Sequence, residues 1–402
     1  MTLKNWVPFL VILLAVGVLG RFPFVTAVAS SLLFILAVAD WWQKHALDGV
    51  VYRRRAHYTR AFPGERVPLK IEIENRKLLP LSWLRVEDPW PKAVGPVDED
   101  VLAPTHDPTL GYLVNLVSLR WFERARRSYE LLFRTRGVYP LGPARLQSGD
   151  LFGIYQNDRL DETSDEAERQ PCRTLTVFPA RLPRETFQTP SQDPFGDQRT
   201  RRRLFEDPSR SMGVREYHPE DEFRRVHWPA TARTGQLQVK VFQPISAQVT
   251  VLCLNVATSP RPWEGIYPAL LEHLLSSAAT LAEQGLQAGH AVGMISNGCL
   301  ANADHPFRIA PGRSPRQLAR LLEALAGVTP LVTAPFERFL LREAPRLPYG
   351  ATLIVITAIA TPELGETLLS LKRHERKILL ISLAADPPPS LPGVRIFHRP
   401  FA

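Results

Sequence analysis

Two nearly unbroken apolar runs near the amino terminus, residues 7–20 and 22–42, constrain this chain more than anything else in it. Only Arg21 and the turn at Pro23 separate them. A stretch without charge over the ~20 residues needed to cross a bilayer has few soluble folds open to it. The sequence therefore predicts a transmembrane helical hairpin over residues 1–45. The second run meets the length requirement and ends in Asp40 and the interfacial pair Trp41 and Trp42. The first run is short. It would either thin the bilayer, with Trp6 and Arg21 as anchors, or pack as a buried helix. A cleavable leader would take Lys4 as its basic end and Ala27-Val28-Ala29 as its cleavage triplet, but the apolar run continues to Ala39, which argues against it. Lys4 lies before the hairpin and Lys44, Arg53, Arg54 and Arg55 after it, against Arg21 alone in the turn. Both ends should then face the cytoplasm, which gives a multi-pass protein of the cytoplasmic (inner) membrane with its soluble domains in the cytoplasm. Arg53, Arg54 and Arg55, just beyond a membrane helix, are expected to meet anionic lipid.

The remaining chain is too long for one ordinary domain. Residues 46–180 carry short period-two runs such as VPLKIEIEN, LSWLRVEDPW, YLVNLVSLRWF and RRSYELLFRTRGVYPLG, bounded by Pro, Gly, Asn or Asp. They predict an antiparallel β-sandwich of immunoglobulin-like type. Residues 181–247 begin as a polar, turn-rich loop without apolar period and end in a dense mixture of charge and aromatic rings. From residue 248 to 402 the rhythm is α/β: QVTVLCLN, HAVGMIS, ATLIVIT and KILLISLA alternate with amphipathic helical stretches. Ser314-Pro315 and Thr361 mark helix starts, and Gly327 marks a helix end. Strands alternating with helices imply a mostly parallel sheet covered on both faces.

The segment from Met212 to Pro244 packs Arg215, Glu216, Asp221, Glu222, Arg224, Arg225, Arg233 and Lys240 among Tyr217, Phe223, Trp228 and Phe242. Charges so dense with rings predict a partly buried ion network, or Arg forks presented to a phosphate or a partner carboxylate. The order Gly213, Arg215, Tyr217, Asp221, Arg224, Trp228, Ala232, Arg233, Leu237 and Lys240 resembles the signature of the domain-of-unknown-function-58 family, although Glu220 stands where that signature has Gly. The resemblance implies a bacterial membrane-anchored protein with a von Willebrand factor A-like C-terminal domain, working beside a MoxR-type AAA+ ATPase. It implies no reaction.

Chemistry-bearing patterns are sparse. LNVATSPRPWEG, after the first α/β strand, lacks the G-x-G-x-x-G of a dinucleotide site, and no P-loop is present. A von Willebrand factor A domain may carry a metal-ion-dependent adhesion site, where D-x-S-x-S supplies hard oxygens to Mg²⁺. Here the aligned positions read Asn255, Ala257 and Ser259, and Ala358 follows Thr357 where a further Asp would stand; the threonine ligand could be Thr329 or Thr333. With those oxygens missing, no metal and no cofactor are expected. Cys172, Cys253 and Cys299 are far apart with no C-x-x-C, which fits a reducing compartment and no zinc site. His218 and His227 flank acidic residues, but no nucleophile or oxyanion motif accompanies them. No catalytic residue is expected, and the chain is not expected to be an enzyme.

These observations predict a non-enzymatic, membrane-anchored scaffold or assembly factor that contacts a MoxR-type AAA+ ATPase. Two alternatives belong to other classes. One is a metal-dependent adhesion or ligand-binding protein, disfavoured by Asn255, Ala257 and Ala358. The other is a membrane-tethered nucleic-acid binder using Arg199, Arg201, Arg202 and Arg203. The net charge of +9 permits it, but no reader motif supports it.

Overall fold

The computed structural model describes residues 7–149, 156–161, 174–183, 187, 206–218, 223, 226–244, 249–301, 303–374 and 376–401. The chain divides into two units, Met1–Ala180 and Arg181–Ala402, each with its own core.

The first unit opens with α1 (Val7–Leu19) and α2 (Pro23–His45). Arg21 makes the tight turn between them in a left-handed conformation (φ 49), and Pro23 starts α2 at a position where its missing N–H costs nothing. The helices approach closely at Gly17, where a Cβ would come within 3.1 Å of the Thr26 backbone nitrogen. The 23 residues of α2 make it the one described helix long and apolar enough to cross a membrane. The 13 residues of α1 span only about 20 Å of a core about 30 Å thick.

The end of α2 is held by side chains from the strands that follow. Lys77 Nζ donates to the carbonyls of His45, at 2.5 Å, and Ala46. Asn157 donates to Gln43 O at 3.3 Å, and Arg159 to Leu47 O and Val50 O at 2.9 and 2.7 Å. The last carbonyls of a helix have no partner within it, and cations there also oppose the negative end of its dipole. Burial pushes the Lys77 amine down to about 8, so at neutral pH it is still an ammonium and both bonds are charge-assisted.

The described residues of this unit further form β1 (Val50–Ala56), β2 (Arg60–Ala61), β3 (Arg66–Asn75), β4 (Leu81–Pro91), β5 (Leu102–Pro104), β6 (Leu110–Leu119), β7 (Arg124–Leu132), β8 (Gly137–Pro140), β9 (Ala144–Gly149), β10 (Gln156–Asp161) and β11 (Thr174–Val177). They form sheets in the orders β1-β3-β7, β10-β9-β4-β6-β5 and β2-β11-β8. Period two decides what is inside. Leu69, Ile71 and Ile73 of β3 are buried with Leu84, Val86, Trp90, Leu113, Leu131, Phe133 and Leu146, while Lys70 lies on the opposite face with Glu72 and Glu74.

The same alternation corrects the expectation for the basic run. Three consecutive arginines in a strand cannot share a face, so Arg54 falls on the core side with Val50 and Tyr52. Its Nε and a terminal nitrogen each bond a different oxygen of Asp88 at 2.7 Å, and the Tyr52 hydroxyl donates to the same carboxylate at 2.8 Å. Asp88 is 0% exposed and belongs to β4, so this fork ties the β1 sheet to the β4 sheet through the core. Burial opposes the charge on Arg54, and the Asp88 carboxylate more than restores it; burial first and Asp88 second also push the Tyr52 phenol well up. Gly142 (φ 77) leaves the room, since a Cβ there would lie 2.5 Å from the guanidinium. On the outer face Arg53 pairs with Glu74 and Arg55 with Glu72, both at 3.6 Å. Arg54 is thus held in the core, and Arg53 and Arg55 pair with carboxylates on the outer face.

Two other strand expectations change. YLVNLVSLRWF stops being a strand at Leu119, and Arg120–Glu123 form the turn into β7. RRSYELLFRTRGVYPLG is divided between β7 and β8, which lie in different sheets.

The second unit begins with β12 (Glu206–Glu216), α3 (Trp228–Thr234) and β13 (Gln238–Pro244), the two strands pairing antiparallel. β12 starts within the stretch expected to be loop, and its register shifts twice between Asp207 and Gly213, beside Pro208. The basic cluster from Arg199 to Arg203 lies outside the described residues. The α/β part follows: β14 (Val249–Leu254), α4 (Pro268–Gln287), β15 (Ala291–Leu300), β16 (Pro306–Gly312), α5 (Pro315–Ala326), β17 (Val328–Val332), α6 (Phe336–Glu343), β18 (Thr352–Thr357), α7 (Pro362–Arg373), β19 (Lys377–Ser382) and β20 (Arg395–His398). The sheet order is β16-β15-β14-β18-β19-β20, with β17 paired to the far end of β15. The central strands are parallel, and β16 and β17 run antiparallel. Pro268, Pro315 and Pro362 open their helices, and Ser314 and Thr361 cap two of them by accepting from Arg316 N and Leu364 N.

Removing one partner of the buried fork should be costly. Asp88→Ala is expected to lower the unfolding free energy of this unit by about 3–5 kcal/mol, because it strands a guanidinium in the core, whereas Arg55→Ala on the outer face should cost less than about 1 kcal/mol. Hydrogen exchange at the β1 and β4 amides of the full chain, followed against denaturant, measures both.

Candidate functional site

In an open α/β sheet the natural crevice lies beyond the carboxyl ends of the strands, where successive connections leave in opposite directions. Here the chain leaves β14 toward β15 and leaves β18 toward β19, which places that point between β14 and β18. Leu254 pairs with both Ser296 and Ile356, so the next residues, Asn297, Asn255 and Thr357, fall in one row, and Thr357 pairs with Ser382. All four are buried toward the carboxyl ends of mostly apolar strands.

Hydrogen bonds run along this row. Asn255 Nδ2 donates to Thr357 Oγ1 at 3.1 Å, and Asn255 Oδ1 accepts from Ala257 N at 3.1 Å and Asn297 Nδ2 at 3.0 Å. Asn297 Oδ1 accepts from Val256 N at 3.0 Å, and its Nδ2 also reaches Ala334 O at 3.2 Å. Thr357 Oγ1 donates to Ile359 O at 2.8 Å. Buried amides and hydroxyls are tolerated when their donors and acceptors find partners, and these do. The row consists of neutral groups bonded to one another and to neighbouring backbone. The Ala257 and Ala358 side chains add no oxygen.

Ser259 stands further along the loop after β14 and is part of a separate cluster. Its hydroxyl donates to Glu264 and accepts from Arg261 N at 3.2 Å, and Arg261 also reaches Glu264 at 3.2 Å. The Ser259 bond, with Arg261 behind it, holds the Glu264 carboxyl below the usual carboxylate range. Thr333 donates to Asn297 O at 2.6 Å, which puts it beside the row, while Thr329 bonds Cys299. Among the described residues no three His, Cys, Asp or Glu side chains come together as a metal site. Burial pushes the Cys253 thiol far up, which leaves it unsuited to act as a thiolate. Trp263 (81% exposed) and Tyr267 on the β14 loop, and Leu331 and Val332 on β17, are exposed.

Sequence reasoning singled out Asn255, Ala257, Ser259 and Ala358 but missed Asn297, which ties Asn255 to the next strand. The signal was available: a lone amide within the apolar strand AVGMISNGCL has to find partners.

The signature residues gather on the hairpin. Arg215 of β12 pairs in register with Val239, and Val214 with Lys240, so Arg215 and Lys240 take opposite faces. Gly213 has open space around it, and Tyr217 N donates to Leu237 O at 2.9 Å. His227 caps α3 by accepting from Ala230 N, and Gly235 (φ 71) ends that helix. Arg233 is exposed on α3. Asp221 and Arg224, two central charges of the expected network, lie outside the described residues, as do Glu220, Glu222 and Arg225. Trp228 is 57% exposed and meets Phe223 edge-on at 5.6 Å, which corrects its expected place in a partly buried cluster.

Comparison with known proteins gives a partial family match without a function. Residues 213–388 match the family described as "Protein of unknown function DUF58". The chain is 23% identical over 248 residues to the uncharacterized protein YeaD of Bacillus subtilis (strain 168), an alignment covering 61% of this chain and 55% of that protein. The chain thus spans about half the length of this relative. Solved structures similar to part of the chain include the CARDB domain of a Pyrococcus furiosus protein (11% identity, 32% of this chain and 91% of that one, TM-score 0.18) and the sporulation control protein Spo0M of Bacillus subtilis (11% identity, 32% and 49%, TM-score 0.18). Likeness at that level carries no argument about fold or function.

Two expectations follow from this geometry. Asn255→Asp buries a carboxylate and removes the donor to Thr357. Its pKa in the fold should rise above the ordinary value of about 3.9, so the folded chain holds a proton that the unfolded chain releases, and stability falls as pH rises through that window. Melting curves should show a loss at about pH 7.5 that shrinks at about pH 5, with no rescue by Mg²⁺. Trp228→Ala should change stability by no more than about 1 kcal/mol, the worth of one exposed aromatic contact, which chemical denaturation can check.

Proposed function

We propose that this protein is a membrane-anchored, non-enzymatic scaffold or assembly factor that works with a MoxR-type AAA+ ATPase through protein contacts. On this reading α1 and α2 form a two-pass hairpin in the cytoplasmic membrane, and both soluble units face the cytoplasm. The amino-terminal sheets form an immunoglobulin-like sandwich. The carboxy-terminal sheet is a von Willebrand factor A-like domain that has given up its metal.

The observation that carries the reading is the neutral row at the sheet edge. A crevice meant for Mg²⁺ presents carboxylates and hydroxyls with free lone pairs. In this chain Asn255, Asn297 and Thr357 spend theirs on each other. An edge whose amides and hydroxyls bond one another, and which carries Trp263, Tyr267, Leu331 and Val332 in the open, suits a partner protein, since exposed aromatics anchor interfaces. The choice of a MoxR-type partner rests on the signature from Gly213 to Lys240, with Arg215, Arg233 and Lys240 offered as polar contacts on the hairpin that carries it.

Binding of the detergent-solubilised full chain to a MoxR-type AAA+ ATPase of the same organism tests the proposal. The expected result is an affinity unchanged by a chelator acting on this chain, and weakened about tenfold or more by Trp263→Ala, as for an interface anchor. Binding that needs Mg²⁺ on this chain, or no binding at all, would overturn it.

A further inference from the structure

Two turns of the amino-terminal unit that carry the chain from one sheet to another, residues 76–80 from β3 to β4 and residues 120–123 from β6 to β7, stand side by side. Asn75 joins them: its Nδ2 donates to Leu79 O and Arg120 O, both at 2.9 Å, and its backbone N–H to Glu123 O at 2.9 Å. Phe122 N donates to Lys77 O at 3.3 Å, and the Glu123 carboxylate closes its own turn by accepting from Arg120 N at 2.7 Å. The paired tips carry three large apolar side chains: Leu78 (74% exposed), Trp121 (63%) and Phe122 (64%). Phe122 has φ 53. A bulky residue in the left-handed region is strained and persists only where the surroundings impose it.

Two further facts say what these tips face. The first is charge. Residues 74–78 and 120–124 hold Arg76, Lys77, Arg120 and Arg124 against Glu74 and Glu123, and Glu74 is shared among Arg53, Arg76 and Arg124. The second is position. Lys77, within the first tip, is bonded to the carbonyls of His45 and Ala46, so the tips sit where the apolar helix α2 ends. Trp41, exposed one turn back along α2, bonds His45 through its carbonyl.

We propose that Leu78, Trp121 and Phe122 form a membrane foot, which dips into the headgroup region of the bilayer that α2 crosses while Arg76 and Arg120 meet anionic lipid phosphates. The inference rests on reading α2 as a membrane helix. Aromatic side chains partition to the boundary between headgroups and acyl chains, and nearby cations add attraction to an anionic leaflet. The foot assigns lipid contact to these turns, with Arg54 held in the core by Asp88.

Tryptophan quenching tests the foot and its premise separately. The full chain is placed in nanodiscs of zwitterionic lipid with a minority of anionic lipid, brominated near the headgroup end of the acyl chains. Emission is compared with Trp121→Phe and Trp41→Phe, both conservative enough to fold. The expected result is that each substitution removes a quenched component, and that the Trp121 component is quenched less when the anionic lipid is left out. Trp41 quenched beside an unquenched Trp121 would overturn the foot, keep α2 in the membrane and leave the tips to a protein partner. Neither quenched would overturn both. Equal Trp121 quenching without anionic lipid would overturn the part assigned to Arg76 and Arg120.

Discussion

The fork between Arg54 and Asp88 is what the amino-terminal unit is assembled around. A carboxylate with no exposed surface is tolerated only if its lone pairs are taken up, and two guanidinium nitrogens and the Tyr52 hydroxyl take them. Because the partners come from different sheets, the requirement fixes how those sheets face each other. An apolar core alone would accept several registers, since sliding one greasy face over another costs little. A charge pair in the middle accepts one. Gly142 and the alternation of β1 follow from it, the first by leaving space and the second by turning Arg54 inward and Arg53 and Arg55 outward.

The carboxy-terminal unit buries polarity differently. Its sheet carries, at the strand ends, a chain of amides and hydroxyls, each of which both gives and accepts. Neutral groups arranged in this way carry a small desolvation cost and no appetite for a counter-ion. Replacing a carboxylate by an amide at such a place changes what the edge can recruit while the strands beneath it stay as they were. The scaffold reading therefore rests on the chemistry of a few strand-end residues rather than on the sheet that presents them.

Long periodic segments were legible in the sequence and short decisions within them were not. The helix starts at Pro315 and Pro362 follow from their caps, and β14, β15, β18 and β19 from apolar runs of strand length. The failures share a cause. Trp121 and Phe122 look like the end of a strand because aromatic residues favour strands, and only the bond from Asn75 to Arg120 O reveals a turn. β12 was hidden because Pro208 and two register shifts break its period, and β17 because VTPLV is short and interrupted by Pro330. Arg53 to Arg55 looked like one basic patch, although alternation along a strand separates neighbours by construction. At the site, the missing carboxylates were visible in the residue types, but the role of Asn297 needed the register between β14 and β15.

The grip on the end of α2 has a mechanical consequence. Lys77, Asn157 and Arg159 hold five carbonyls between Gln43 and Val50, so the helix is joined to the strands by a bracket instead of a tether. A flexible tether would let the sandwich tumble and sample every orientation. A bracket settles that orientational entropy during folding, so the unit keeps one side toward the helix end at all times. A partner confined to the same surface would then search in two dimensions for a target already turned the right way, and would lose less freedom on meeting it.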